Sequence, residues 1–287
     1  MSAHALREVR DDAVRTLGLA GVPTPEADAE LLIGHVLGLS RGGVQAKAIA
    51  GAVLGLDDYL RVAEAVDRRA AREPLQHITG RAAFRSLELA VGPGVFVPRP
   101  ETELVAQLAI DTLLAVASPE PAAIDLGTGS GAIALSLASE VPHARVWAVE
   151  NSPRAFIWAR QNAREQDLPN LRLVFADLAE ALPELDGGLD VVVSNPPYIP
   201  LGAIPRDPEV RLHDPEAALY GGEDGLDVVR ALSVRARALL RPGGTLVLEH
   251  AEQQGAAIRA LLAADGWRAA ATHRDLTGRD RATTALR

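Results

Sequence analysis

Apolar residues in the first 75 positions recur at helical spacing. Leu6, Val9, Ala13, Val14 and Leu17 fall on one face of a first helix. In "VPTPEADAELLIGHVLGL", Thr24 precedes Pro25, an N-cap followed by proline at the first helical position. "LDDYLRVAEAVDRRAARE" reads as a third long helix with Asp57 as a possible cap. No strand pattern intrudes, so residues 1–75 are expected to form a small helical bundle. Between 76 and 97 the period shortens. "HITGRAAFRSLELAVGPGVFVP" alternates and is broken by glycines, which predicts a linking β-hairpin. "PRPETELVAQLAIDTLLAVA" then opens a helix, and residues 98–287 are expected to form one catalytic domain. From residue 122 strand and helix alternate. The candidate strands are 122–126, 144–150, 171–177, 189–194 and 244–250. Repeated βαβ units imply an α/β fold with a parallel sheet covered on both faces. "WRAAATHRD" and "RATTALR" close the chain as an antiparallel pair.

Composition narrows the chemistry. The chain has 287 residues, 48% of them hydrophobic, enough for a sizeable core. No apolar run approaches the roughly 20 residues of a membrane helix. The start, "MSAHALREVRDDAV", is charged and lacks the apolar centre of a signal peptide, so a cytoplasmic protein with no membrane partner is expected. The absence of cysteine excludes disulfides, thiolate ligands and cysteine nucleophiles. Lys47 is the only lysine, which argues against Schiff-base and Walker-type chemistry. A formal net charge of −9 lowers the expectation of direct nucleic-acid binding. His77, His143, His213, His250 and His273 show no metal spacing, and no metal is expected. "RDDAVR" and "DRRAARE" read as solvated helix faces, and Trp147 and Trp158 as core.

Two segments carry candidate chemistry. "IDLGTGSGAIAL" follows the first strand of the alternating region. Gly127, Gly129 and Gly131 remove Cβ atoms where a backbone turns tightly and meets a ligand, and a helix N-terminus supplies N–H donors. Glu150 ends the next strand, suitably placed to accept hydrogen bonds from a ribose. This pattern suits NAD, FAD or S-adenosylmethionine. Asp125 could buttress the loop or touch the cofactor; Asp177 could accept from an adenine amino group or cap a turn. The second segment is "VVVSNPPYIP". It delivers Asn195 to the same strand edge, followed by Pro196 and Pro197, which fix φ and cannot donate, and by Tyr198, which offers a flat face. Such a corner suits a planar –NH2 conjugated to a carbonyl or ring, a poor nucleophile because its lone pair is delocalised.

"DLGTGSG", the strand-two acid and "NPPY" after strand four resemble S-adenosylmethionine-dependent methyltransferases that act on amide or exocyclic nitrogens. "REPLQHITG", "VGPGVFVPRPETELV", "ALYGGEDGLDVV" and "LEHAEQQG" narrow the resemblance to the protein-(glutamine-N5) methyltransferases of peptide-chain release factors, the PrmC/HemK type. The resemblance implies a seven-stranded Rossmann-like sheet behind a helical bundle that docks a class 1 release factor. It implies transfer of a methyl group to the glutamine amide of the release factor's GGQ loop, with S-adenosylhomocysteine as the by-product. Carried over by motif, Gly127, Thr128, Gly129, Ser130 and Gly131 hold the methionine part of the cofactor. Glu150 takes the ribose with Asn151 beside it, and Asp125, Asp177, Leu178 and Asn195 complete the cofactor site. Asn195, Pro196, Pro197 and Tyr198 hold the substrate glutamine, with Phe96 and Arg99 at its entrance. Two positions depart from the pattern: Leu178 stands where an aromatic is common, and Asp214 where glutamate is expected. The competing readings are a methyltransferase for a nucleic-acid base or a ribosomal-protein glutamine, a dinucleotide-dependent oxidoreductase, and a non-catalytic adaptor.

Overall fold

The computed structural model describes residues 4–287, so residues 1–3 of the expected bundle lie outside the described residues. The chain begins β1 (His4–Ala5), α1 (Leu6–Leu19), α2 (Pro25–Leu37), α3 (Arg41–Ile49), β2 (Val53–Leu54) and α4 (Leu56–Ala70). Then come α5 (Leu75–Thr79), β3 (Arg81–Phe84), β4 (Leu87–Ala90) and α6 (Thr102–Ala115). The alternating region holds β5 (Ala122–Leu126), α7 (Ala132–Glu140), β6 (Arg145–Glu150), α8 (Pro153–Gln166), β7 (Leu171–Phe175) and β8 (Leu189–Ser194). It ends with α9 (Pro208–His213), α10 (Asp227–Leu239), β9 (Leu240–Glu249), α11 (Gly255–Ala264), β10 (Arg268–Arg274) and β11 (Asp280–Leu286). The chain divides into two compact units. One comprises the chain up to Arg81 together with Pro205–His213; the other comprises Ala82–Ile204 and Asp214–Arg287.

The first unit is helical except for a two-residue antiparallel pair, β1 with β2, where the helical pattern predicts no strand. Leu6, Val9, Ala13 and Leu17 of α1 bury against Leu32 and Ile33 of α2, Val44 of α3, and Val62 and Val66 of α4. Polar bonds are buried among these helices. Glu30 accepts from Arg10 at 2.7 Å, Arg41 at 2.6 Å and Gln45 at 2.8 Å. Arg69 of α4 donates to Asp28 of α2 and to Glu209 of α9, both at 2.7 Å, and Arg72 takes the other Glu209 oxygen at 2.6 Å. Through these ion pairs a short helix from far down the chain becomes part of the N-terminal unit. Two expected caps differ. Helix α4 opens at Leu56 after Gly55, so Asp57 sits in its first turn, where a negative charge favours the positive end of the helix dipole. Thr24 precedes Pro25 as expected, but its hydroxyl donates to the Asp28 carboxylate at 2.9 Å instead of capping a backbone N–H.

The second unit carries a seven-stranded sheet in the order β10-β11-β9-β8-β5-β6-β7. Strands β5 to β9 pair in parallel, and β11 and β10 add antiparallel. The valine run of β8 is buried on both faces, as a central parallel strand must be. Val191 and Val193 join a core with Val105, Ala106 and Ala109 of α6; Val192 joins the opposite core with Val229, Leu232 and Ile258. The linking hairpin is shorter than the alternation predicts. Residues 75–79 form α5 behind Pro74, the strands are only β3 and β4, and Val91, Val95 and Val97 are buried in irregular chain beside Trp158.

Arg69→Met leaves two buried carboxylates without their shared guanidinium. It should cost about 3–5 kcal/mol of stability, measured by denaturant unfolding.

Candidate active site

The strand order reverses between β5 and β8, and the carboxyl ends of strands at such a switch point are where open α/β sheets take ligands. The glycine loop leaves β5 there. Gly127, Gly129 and Gly131 have φ of 76°, 60° and 89°, values that L side chains resist. A Cβ added at Gly127 or Gly129 would meet nothing within 4 Å, so open space lies beside the loop backbone. The loop is tied down from outside this space. Gly127 and Thr128 donate their N–H groups to the Val149 carbonyl, both at 2.9 Å. Asn162 of α8 donates to the Ser130 carbonyl at 2.9 Å and also pairs with the backbone of Ala90.

Three carboxylates serve this edge differently. Asp125 is fully buried; it accepts from the Thr128 hydroxyl at 2.5 Å and the Ala134 N–H at 3.2 Å. It is therefore a buttress that joins the loop to α7. Burial pushes its carboxyl up to about 7. Glu150 accepts the Gly129 N–H and the Ser152 N–H, both at 2.8 Å. Burial raises its pKa, and those N–H groups oppose the rise. The Asn151 N–H also acts on this carboxylate, whose two oxygens offer about four acceptor sites in all. Asp177 lies beyond the end of β7. One oxygen accepts from the Ala179 N–H at 2.9 Å and the other from Asn151 at 3.1 Å. Leu178 is half-buried against the core that contains Val192.

The corner after β8 is held from all sides. The Ser194 hydroxyl donates to the Leu126 carbonyl at 2.5 Å, joining β8 to β5. Asn195 donates its Nδ2 to the Thr102 hydroxyl at 3.3 Å, and no protein donor reaches its Oδ1 among the described residues. Pro196 is buried. Gln254 donates to the Tyr198 carbonyl at 2.9 Å, and Ile199 exchanges backbone bonds with Leu219 and Gly221. A Cβ at Gly221 would strike the Pro197 carbonyl, and one at Gly225 the Tyr198 carbonyl. The glycines of "ALYGGEDGLDVV" thus let that loop lie directly on the corner. Arg99 stacks over Phe96 at 5.0 Å and pairs with the buried Asp214 at 2.7 Å. Its backbone carbonyl accepts from Thr102, so this segment adjoins the corner through α6. Asp214, whose role the sequence left open, is the partner of Arg99. Sequence reasoning missed Thr102, Asn162 and Gln254 as groups that hold the loop and the corner. "LEHAEQQG" carried a signal for Gln254.

Residues 8–80 match the family model described as PrmC N-terminal domain, and residues 87–203 match the Methyltransferase small domain. The release factor glutamine methyltransferase of Streptomyces coelicolor is 52% identical over 275 residues, covering 95% of each chain. The chain belongs to the release factor glutamine methyltransferase family. A Bifidobacterium longum enzyme of the same name is 47% identical, covering 96% of this chain and 97% of its own. A 4-amino-L-phenylalanine/4-methylamino-L-phenylalanine methyltransferase of Streptomyces pristinaespiralis is 40% identical, covering 100% of this chain and 96% of its own. The crystal structure of a methyltransferase from Pyrococcus furiosus shares the fold, with a TM-score of 0.51 at 21% identity. The match covers 71% of this chain and 90% of that one. In this methyltransferase, among the described residues, no cluster of possible metal ligands occurs and no helix is long and apolar enough to cross a membrane.

Gly202 and Gly225 both have left-handed φ, 89° and 78°, but only Gly225 is crowded. Gly202→Ala should cost about 1–2 kcal/mol, the backbone strain alone. Gly225→Ala should cost clearly more, because its Cβ meets the corner. Denaturant unfolding of both variants measures the difference.

Proposed function

We propose that this methyltransferase moves a methyl group from S-adenosylmethionine to the side-chain amide nitrogen of a glutamine, the one in the GGQ loop of a class 1 release factor. The observation that carries this reading is the Asn195 carboxamide. Its NH2 end is engaged by Thr102, and among the described residues its oxygen is left without a protein donor at the carboxyl edge of the sheet. The names of the relatives at 52% and 47% identity support the same substrate. A release-factor substrate places the enzyme in the cytoplasm.

The cofactor fits the first half of the site. Gly127 and Gly129 present bare backbone beside open space for its methionine part. Glu150 would accept from ribose hydroxyls, and Asn151, Asp177 and Leu178 would stand at the adenine side. Asp125 acts on the cofactor only through the loop it buttresses. When bound, S-adenosylmethionine supplies an electrophilic methyl carbon and keeps the electron pair of the broken bond at sulfur.

The protein's own part is to make an unreactive nitrogen attack. Amide resonance spreads the nitrogen lone pair onto the carbonyl. Asn195 Oδ1 and the Pro196 carbonyl, each accepting one N–H, would fix both hydrogens and return electron density to nitrogen. Tyr198 and the two prolines would fix the amide plane, and Phe96 and Arg99 would shape the approach. Rate then comes from positioning and preorganised dipoles, without a strong base. The methylated nitrogen is cationic, hence acidic, and one of the gripped protons departs to water.

The helical unit is the docking surface for the protein substrate in this reading. Leu56 and Leu60, one turn apart on α4, are exposed, as are the nearby Ile49 and Val53. The Streptomyces pristinaespiralis relative favours a second reading. The amine of the substrate in its name is conjugated to a ring, the other kind of planar –NH2 that the corner suits.

Asn195→Ala should lower methyl transfer by about 100-fold or more, with cofactor affinity little changed. Mass spectrometry of a release factor incubated with labelled S-adenosylmethionine reads the first, and calorimetry the second. Equal loss of both would make Asn195 a cofactor or folding residue. Transfer to 4-aminophenylalanine in place of the protein would favour the second reading. Leu56→Ser with Leu60→Ser should raise KM for the release factor and leave cofactor affinity unchanged; steady-state kinetics and calorimetry check this.

A further inference from the structure

Beneath the corner lies a buried carboxylate with no part in the transfer described above. Glu249 ends β9 and is 1% exposed. It pairs in register with Ala282 of β11 and follows Leu248, the partner of Ser194. Side chains alternate along a strand, so Glu249 shares the face of Val247, which packs in the core with Val105 and Ala106 of α6. Thr102, the first residue of α6, is also buried and lies beside the Glu249 carboxyl. Asn195 has the same parity as Val191 and Val193 and meets Thr102 from the other side. The Tyr198 hydroxyl donates to Glu249 Oε1 across a long 3.5 Å, while Glu249 Oε2 is buried with no hydrogen-bond partner.

A threonine hydroxyl has one proton to donate. An ionised carboxylate accepts only, so it claims that proton and leaves the Thr102 oxygen to accept from Asn195. The carboxamide must then turn its NH2 to Thr102 and its oxygen outward. A protonated carboxyl can donate to Thr102 instead. That frees the hydroxyl to donate to the carboxamide oxygen, and the amide is free to flip. A flipped Asn195 offers N–H to a substrate that itself brings N–H. Given an amide substrate, as proposed above, we infer that Glu249 and Thr102 are positioning residues that set which end of Asn195 faces the substrate.

Other charged groups around Glu249 act on its ionisation. Arg281 of β11, itself bonded to Asp275, favours the carboxylate; Glu101, before α6, disfavours it. His250, next along the chain, is held by the Ala251 carbonyl and the Thr283 hydroxyl, and burial keeps its pKa low. Burial dominates for Glu249 and pushes its carboxyl up to about 7. The pKa is raised, so the working, ionised form is gained as pH rises and lost as it falls.

The test uses the full-length enzyme, a GGQ-bearing release factor and S-adenosylmethionine. For the wild type, kcat should rise with pH through about 7. Glu249→Gln should lower kcat about 10–100-fold at pH 8, remove that rise, and leave cofactor affinity near wild type. Thr102→Val should lower kcat similarly, and Thr102→Ser should restore it. The double variant Thr102→Val with Glu249→Gln should be no worse than either alone, because the pair acts as one unit. Wild-type kcat and pH profile in Glu249→Gln would overturn the inference, as would an equal defect in Thr102→Ser and Thr102→Val. If Glu249→Gln does not fold, the wild-type profile and the threonine pair still decide. Absence of any transfer by the wild type would instead remove the glutamine reading itself.

Discussion

The corner after β8 has to be rigid without help from its own backbone N–H groups. Pro196 and Pro197 cannot donate, so the ladder that fixes β8 stops at Ser194. Everything that holds the next four residues comes from elsewhere in the chain. Leu126 takes the Ser194 hydroxyl, Thr102 takes the Asn195 amide, and Gln254 grips the Tyr198 carbonyl. Leu219 and Gly221 pin Ile199. Segments on both sides of β8 in sequence are thus committed to one turn.

Buried carboxylates recur because polar direction is costly to set in a core and hard to lose once set. Asp125 is buried where one oxygen joins the glycine loop to α7, and Glu249 where it faces a hydroxyl and a phenol. Burial alone would neutralise such groups. Hydrogen bonds to the charged form oppose that burial, and both groups sit near the boundary between charged and neutral. In the helical unit Arg69 and Glu209 use full charges for a different end, to hold a distant segment of chain.

The α/β architecture was legible because it is written in short-range pattern. Strands β5 and β8 lie where the apolar runs predict them, and β6, β7 and β9 shift only at their ends. The glycine loop, Glu150 and Asn195 stand at strand ends, as the local pattern predicts. The hairpin region was legible in kind but not in extent. Its alternation was diluted by residues that pack as a helical turn or as irregular buried chain.

Periodicity and local motif were enough to determine the parallel strands, the glycine turn after β5 and the proline turn after β8. Only the tertiary structure decided what stands behind them. Thr102 lies 93 residues from Asn195, and Glu209 lies 140 from Arg69. No local spacing connects such pairs. They meet because strand order and face parity bring them together, and those are properties of the folded chain.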